Sequence, residues 1–320
     1  MNNNTDILTP EQELSDPKNR NSVVVSTRQS TSAELRTWLE LLCRNKLRMK
    51  VIILGAGYGT RLLKDLQNGG DEFKHLVGIP KPLLPIGHLP LISHWMAAFQ
   101  RSSICDIYLV TNHQYYPKFE EWALQYKAVK IVDDGTQKNE ERLGAVACLQ
   151  LAIDTFKISD HVMVVGGDTL FLEDFSLHDV ISKFQRVQTE DDQANIVLSY
   201  QCKDEETVMY GILETDKNLR VTAMKEKPSS DQTESRWACP CFYVLSKNTL
   251  PLVQEFLQEK KNAQIEEKDA PGHFISWLVP RKPVYVHPIS GRFDVGNLQS
   301  YVICNTYFQE RIHTLANYLR

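Results

Sequence analysis

The 320-residue chain is 42% hydrophobic and 24% charged, with a formal net charge of −4; it can bury a full core as one large or two small domains and carries no basic footprint for nucleic-acid binding. No apolar run approaches the roughly eighteen residues of a membrane span, which argues against a membrane partner. The seven cysteines are odd in number and lack C-x-x-C spacing, so a reduced, cytoplasmic setting fits better than a disulfide framework or a zinc site.

Residues 1–30 are rich in Asn, Ser, Thr, Asp and Glu, a composition that predicts a disordered tail; its acids also exclude a mitochondrial presequence. Over 31–48, Thr31 and Glu34 make a capping-box pattern, and Leu35, Trp38, Leu39 and Leu42 follow at helical spacing, predicting a short amphipathic helix. Met49, directly before the first strand, is a second candidate start.

The strand-like run Lys50-Val51-Ile52-Ile53-Leu54 feeds into Gly55-Ala56-Gly57-Tyr58-Gly59-Thr60-Arg61. Three close glycines let the backbone turn sharply and bring its N–H groups against an anion, and the following helix adds a positive dipole end. Arg61 stands at the loop's exit, where its fork can hold two phosphate oxygens. Lys81 lies between Pro80 and Pro82, which is expected to hold its backbone extended and aim its ammonium. A dinucleotide fingerprint would need glycine at position 60, where Thr60 stands, and no glycine is followed by the Lys-Ser or Lys-Thr of a P-loop. The pattern describes a polyphosphate cradle with two cations.

Further on, the apolar runs Ile107–Val110, Val129–Val132, Val162–Val165 and Ile196–Ser199 alternate with helical periodicity, as over Leu91–Gln100 and Gly144–Thr155. Such alternation predicts an α/β fold, a mostly parallel Rossmann-like sheet with helices on both faces, whose ligands sit beyond the strand C-termini. From about residue 206 the strands shorten, as at Ala223–Lys225 and Phe242–Leu245, predicting a smaller substrate-facing lobe over 206–292 and a closing segment over 293–320.

Asp168 ends the strand Val162–Val165 in Gly166-Gly167-Asp168, and Asp294 lies among Gly291, Val295 and Gly296. Two carboxylates with phosphate oxygens and water would make the oxygen-only shell that Mg²⁺ prefers. In Met224-Lys225-Glu226-Lys227-Pro228 the acid Glu226 could accept from sugar hydroxyls while Lys227 meets a phosphate. Each of these alone reads equally as a cap, a turn or a solvated charged segment.

In order and spacing, GAGYGTRL at 55–62, PKPLLPIG at 80–87, LGA at 143–145, GGDTLF at 166–171, YG at 210–211, KEKP at 225–228 and DVGN at 294–297 resemble the sugar-1-phosphate nucleotidylyltransferases. The resemblance covers about Met49 to Tyr307. It implies a nucleotidyltransferase domain over 49–320, in which 49–205 binds nucleotide, 206–292 forms the sugar-binding lobe and 293–320 closes the domain. It further implies that a sugar 1-phosphate attacks the α-phosphorus of a nucleoside triphosphate and expels pyrophosphate.

By position, the resemblance assigns Leu54, Gly55, Ala56, Gly57, Gly59, Thr60 and Gly144 to the nucleotide, and Arg61 and Lys81 to catalysis. It assigns Gly211, Glu226 and Lys227 to the sugar phosphate, and Asp168 and Asp294 to Mg²⁺. It implies a short form without a C-terminal left-handed β-helix and leaves self-association open. Ala145 stands where relatives usually carry threonine, and Cys241 near where they usually carry glycine, so the sugar or base is expected to differ from the commonest ones. The polar segment 67–72 is expected to act as a mobile lid. Two other readings are a cytidylyltransferase acting on a phosphorylated alcohol such as phosphocholine and a silent subunit that senses nucleotide sugars; retention of Arg61, Lys81, Asp168 and Asp294 argues against the second.

Overall fold

The computed structural model describes residues 48–318 apart from 103, 105 and 173, with side chains described as far as Arg311. The expected tail over 1–30 and helix over 31–48 lie outside those residues, Arg48 excepted. Strand β1 (Met49–Leu54) leads through the glycine loop to helix α1 (Thr60–Asn68), then to a two-stranded hairpin, β2 (Pro85–Ile86) and β3 (Leu89–Pro90), and to α2 (Leu91–Arg101). Next come β4 (Ile107–Thr111), α3 (Tyr116–Ala123), β5 (Val129–Asp133), α4 (Ala145–Phe156), β6 (His161–Gly166), β7 (Thr169–Phe171), α5 (Leu177–Glu190) and β8 (Asn195–Gln201). The chain then runs through β9 (Gly211–Thr215), β10 (Val221–Glu226), β11 (Trp237–Cys239), β12 (Phe242–Leu245), α6 (Leu250–Glu259) and α7 (Pro271–Leu278). It finishes with β13 (Val284–Pro288), β14 (Arg292–Asp294) and α8 (Leu298–Tyr318).

The main sheet runs β10-β9-β11-β8-β12-β6-β1-β4-β5, with β13 alongside β8. β1 pairs in parallel with β6 on one side and β4 on the other, and β5 continues the parallel set. Strands buried on both faces need unbroken apolar sequence, and β1 shows it: Val51 and Ile53 enter one core while Ile52 enters the other, as strand alternation requires. Helices supply the covers. In α4, Val146, Leu149, Ala152 and Ile153 form the buried stripe, and Lys157 ends the helix in the left-handed region.

The segment 242–245, expected in the smaller lobe, runs in the central sheet as β12, antiparallel to both β6 and β8. The segment 67–72 completes α1 and opens a 3₁₀ turn, Asp71–Leu76, whose Leu76 is buried. Parallel order therefore sets β1, β4, β5 and β6 with their C-terminal ends on one edge. The loops that leave that edge build the site.

Candidate active site

Gly55 begins the loop by donating its N–H to the Val110 carbonyl at 2.8 Å, so the turn starts inside the sheet ladder. Asn112, fully buried at the end of β4, donates from Nδ2 to the Ala56 carbonyl (2.9 Å) and accepts from the Tyr115 N–H (3.0 Å). It clamps the loop from the neighbouring strand. Gly59 takes φ +62°, a left-handed conformation that glycine adopts without strain, and precedes α1 with no side chain capping the helix and no acid in its first turn. The N–H groups opening α1 are thus left for an anion. Thr60 and Arg61 are exposed there, and Arg61 makes no ion pair among the described residues.

Lys81 crosses the glycine loop, its aliphatic chain lying against Gly59. Its backbone is not extended as the flanking prolines suggested: Lys81 opens a 3₁₀ turn, Lys81–Leu83, closed by Leu84 N–H to the Lys81 carbonyl at 3.1 Å. Pro82 is tolerated because a residue in a helix's first turn needs no N–H partner, and Pro80 alone is extended, with ψ 144°. The hairpin that follows is held by α8, where Tyr301 Oη donates to the Pro85 carbonyl (3.0 Å) and Asn305 Oδ1 accepts from Gly87 N–H (2.8 Å). The ammonium of Lys81 ends 3.5 Å from Asp168 Oδ2.

Asp168 follows β6, and Gly167 N–H donates to the Leu54 carbonyl at 2.9 Å, which joins this turn to the end of β1. β7 pairs antiparallel with β14 so that Asp294 faces Thr169, and Val295 N–H donates to the Asp168 carbonyl at 3.1 Å. The two carboxylates called metal ligands thus begin and end adjoining segments. Cys241 lies by both: its carbonyl accepts from Gly166 N–H (2.8 Å). Burial, then the charges of Asp168 and Asp294, push its thiol up to about 12.

Arg292, which sequence reasoning missed, donates from Nη2 to Asp294 Oδ2 at 3.0 Å and lies over the Tyr210 ring at 4.9 Å. Its side chain is 9% exposed. Burial works against its charge, but Asp294 and the Tyr200 hydroxyl restore it and hold its pKa above the ordinary arginine value. No local motif marks this arginine, since its partners come from β8, β14 and the turn before β9.

At the opposite wall, Gly144 holds φ +92° and ψ 153°, and a Cβ there would sit 3.0 Å from the Asp269 Cα. Asp269 accepts from Arg142 Nε (2.8 Å) and, through its backbone carbonyl, from Ala145 N–H (3.0 Å). The segment before α7 therefore latches the Gly144 corner. Gly144→Ala is expected to destabilise the fold by about 1–3 kcal/mol, because alanine must hold a conformation open mainly to glycine against fixed backbone. Urea unfolding reads this, and an unchanged midpoint would contradict it.

Gly211 opens β9 opposite Glu226, the last residue of β10, and the Glu226 carboxylate is wedged between Gly211 and Gly272 of α7. Lys227 then takes φ +50°, an uncommon conformation for a residue with a side chain, and its N–H donates to the Tyr210 carbonyl at 3.0 Å. Lys225 is committed elsewhere, to Glu214 at 2.8 Å. This distinguishes the two lysines.

One cleft at the strand C-termini takes in Leu54, Ala56, Gly57, Gly144 and Asp168 of the expected residues. Gly55, Gly59, Thr60, Arg61, Lys81, Gly211, Glu226, Lys227 and Asp294 are not on its wall, although Gly59 and Lys81 pack against each other. The cleft adds Asp134, Arg142, Cys148 and Asp269, which the sequence reading did not select. Asn112 and Asp134 had a usable signal, since each follows a recognised strand; Asp269 had none. Among the described residues no cluster of three or more His, Cys, Asp or Glu forms a self-sufficient metal site, and no helix is long and apolar enough to cross a membrane.

A family model described as "Nucleotidyl transferase" matches residues 50–311. The chain is 27% identical over 259 residues to a mannose-1-phosphate guanyltransferase of Debaryomyces hansenii, covering 79% of this chain and 63% of that protein, so it spans less than two thirds of that relative. It is 22% identical over 286 residues to a UTP–glucose-1-phosphate uridylyltransferase of Pseudomonas aeruginosa, covering 82% of this chain and 97% of the relative. The crystal structure of an apo UDP-glucose pyrophosphorylase superposes with a TM-score of 0.63 at 20% identity, over 82% of this chain and 99% of that one, and so shares the fold.

Proposed function

The chain belongs to the nucleotidyl transferase family, and from that membership we propose that it transfers a nucleotidyl group from a nucleoside triphosphate to a sugar 1-phosphate. The products are pyrophosphate and a nucleoside diphosphate sugar. The observation that carries this reading is the uncapped N-terminus of α1 at the end of the glycine loop, with Lys81 packed on Gly59 and 3.5 Å from Asp168, whose carbonyl accepts from the residue after Asp294. Relatives named for guanylyl and for uridylyl transfer both align along most of the chain, so they support the reaction class rather than one base or sugar.

In this reaction an oxygen of the sugar phosphate forms a bond to the α-phosphorus while the α–β bridging P–O bond breaks, and the electron pair leaves with pyrophosphate. No side-chain nucleophile is needed; positioning and charge stabilisation do the work. The N–H groups of residues 56–59 and of the first turn of α1 hold the polyphosphate, and Arg61 meets the leaving pyrophosphate. Lys81, braced on Gly59, offsets charge on the α-phosphoryl oxygens and the incoming oxygen. Lys227 meets the sugar phosphate, while Glu226 and Gly211 contact the sugar ring.

Asp168 and Asp294 supply oxygen donors of the kind Mg²⁺ takes, and both carry a cation partner now, Lys81 and Arg292 respectively. With only two carboxylates from the protein, the residues fit a cation whose remaining positions are filled by phosphate oxygens and water. Such a cation, when bound, would draw off negative charge at the α-phosphoryl group. In this reading the protein works in the cytoplasm.

Pyrophosphate release measured across a grid of nucleoside triphosphates and sugar 1-phosphates tests the reading. Saturable release that requires both substrates is expected. Release from a triphosphate alone, or with phosphocholine in place of every sugar phosphate, would overturn it.

A further inference from the structure

Arg292 and Asp294 stand two residues apart on β14, so strand alternation puts both side chains on one face, and the register with β7 sets Thr169 opposite Asp294. The arginine folds along that face to reach the acid, its Nη2 donating to Asp294 Oδ2 at 3.0 Å. Its other nitrogens turn to neighbouring strands in longer contacts, Nη1 to Thr169 Oγ1 and Nε to Tyr200 Oη, each at 3.4 Å. The Tyr210 ring covers the guanidinium, with its centroid 4.9 Å away. Residues of β7, β8, β14 and the turn before β9 thus fix the fork.

The two partners differ in exposure. The Arg292 side chain is 9% exposed and that of Asp294 36%, and among the described residues no donor reaches Asp294 Oδ1. Burying a guanidinium costs free energy that a half-exposed partner offsets poorly, so the pair is an inefficient stabiliser of the fold. What it does well is restrict a carboxylate that would otherwise be free to rotate, holding one oxygen and leaving the other without a donor.

We propose that Arg292 is a positioning residue for the divalent cation, its fork fixing the Asp294 carboxylate so that Oδ1 is presented to the ion. This rests on the nucleotidyl-transfer reading, in which Asp168 and Asp294 hold that ion beside the triphosphate. Groups that orient a ligating carboxylate raise metal affinity through geometry. Charge acts in the opposite sense, because a neighbouring guanidinium repels a cation. Lysine separates the two contributions: it keeps the charge, but its single ammonium cannot hold Asp294, Thr169 and Tyr200 in the planar arrangement of the fork.

Calorimetric titration of the full chain with ATP, CTP, GTP, UTP and dTTP, without sugar phosphate, tests this apart from turnover. Each titration is run once with EDTA and once with Mn²⁺, and the quantity read is the factor by which Mn²⁺ tightens the best-bound triphosphate. Arg292→Lys is expected to reduce that factor about tenfold and to leave the metal-free affinity unchanged. Tyr200→Phe, which removes one anchor of the fork, should reduce it less and in the same direction.

A wild-type factor in Arg292→Lys, or a larger factor in Arg292→Met, is what charge alone would give, and either overturns the proposal. Equal loss of affinity with and without Mn²⁺ marks a merely structural role and also overturns it. If Arg292→Lys does not fold, Tyr200→Phe decides, and an unchanged factor there is fatal. Triphosphate binding that Mn²⁺ does not tighten in the wild type would sink the proposal and leave nucleotide recognition standing; saturable binding of none of the triphosphates would sink the transfer reading with it.

Discussion

Replacing Lys81 by alanine is expected to lower kcat for pyrophosphate release about 10³-fold, the scale on which one preorganised stabilising group acts in a water-poor site. Lys81 does two separable things. Its methylenes cover Gly59, and its ammonium stands 3.5 Å from Asp168, where the proposed reaction would build charge on the α-phosphoryl group. Lys81→Met keeps most of the packing and removes the charge, so it should lose as much activity as alanine. Both variants should retain the wild-type circular dichroism spectrum. A methionine variant with near-wild-type kcat would show that the side chain serves the loop's shape and not the reaction.

The second large effect is expected at Asp168. Asp168→Asn preserves size and the backbone bonds of the Gly167 turn, yet removes one of the two negative charges proposed to hold a divalent cation. It also leaves the Lys81 ammonium without its carboxylate. A loss of about 10³-fold in kcat corresponds to roughly 4 kcal/mol of transition-state stabilisation, within what cation stabilisation of phosphoryl oxygens supplies. The variant should also need a higher Mg²⁺ concentration for half-maximal rate. An unchanged Mg²⁺ dependence together with a normal rate would remove Asp168 from the metal-holding role.

Much of this architecture is legible in sequence because the physics acts locally. β1, β4, β5 and β6 are short apolar runs bounded by glycine or polar turns, and the helices between them carry a buried stripe at helical spacing. Parallel alternation then places the ligand loops without further information. The glycine loop and Asp168 fall on one edge for that reason.

The rest depends on contacts between distant segments. Phe242–Leu245 is a four-residue apolar run, and nothing in it says that it enters the sheet between β6 and β8 and runs antiparallel to both. Lys81 illustrates a local rule overridden: Pro82 disfavours a helical residue before it, yet the 3₁₀ turn forms there, and Lys81 packs across Gly59. Ala145 and Asp269 meet although 124 residues apart, and Arg292 finds Tyr200 92 residues away. Neither pair belongs to a short pattern. Asp134 and Asn112 could have been chosen by the rule that selected Asp168, since each stands where a parallel strand ends.

The most direct test of the transfer itself follows the oxygen atoms. A sugar 1-phosphate bearing ¹⁸O in its non-bridging phosphate oxygens is incubated with nucleoside triphosphate, Mg²⁺ and the full chain, and the products are resolved by mass spectrometry. Attack by the sugar phosphate on the α-phosphorus predicts a nucleoside diphosphate sugar that retains all of the label and pyrophosphate that carries none. Labelled pyrophosphate, or pyrophosphate and nucleoside monophosphate with no nucleotide sugar, would contradict it.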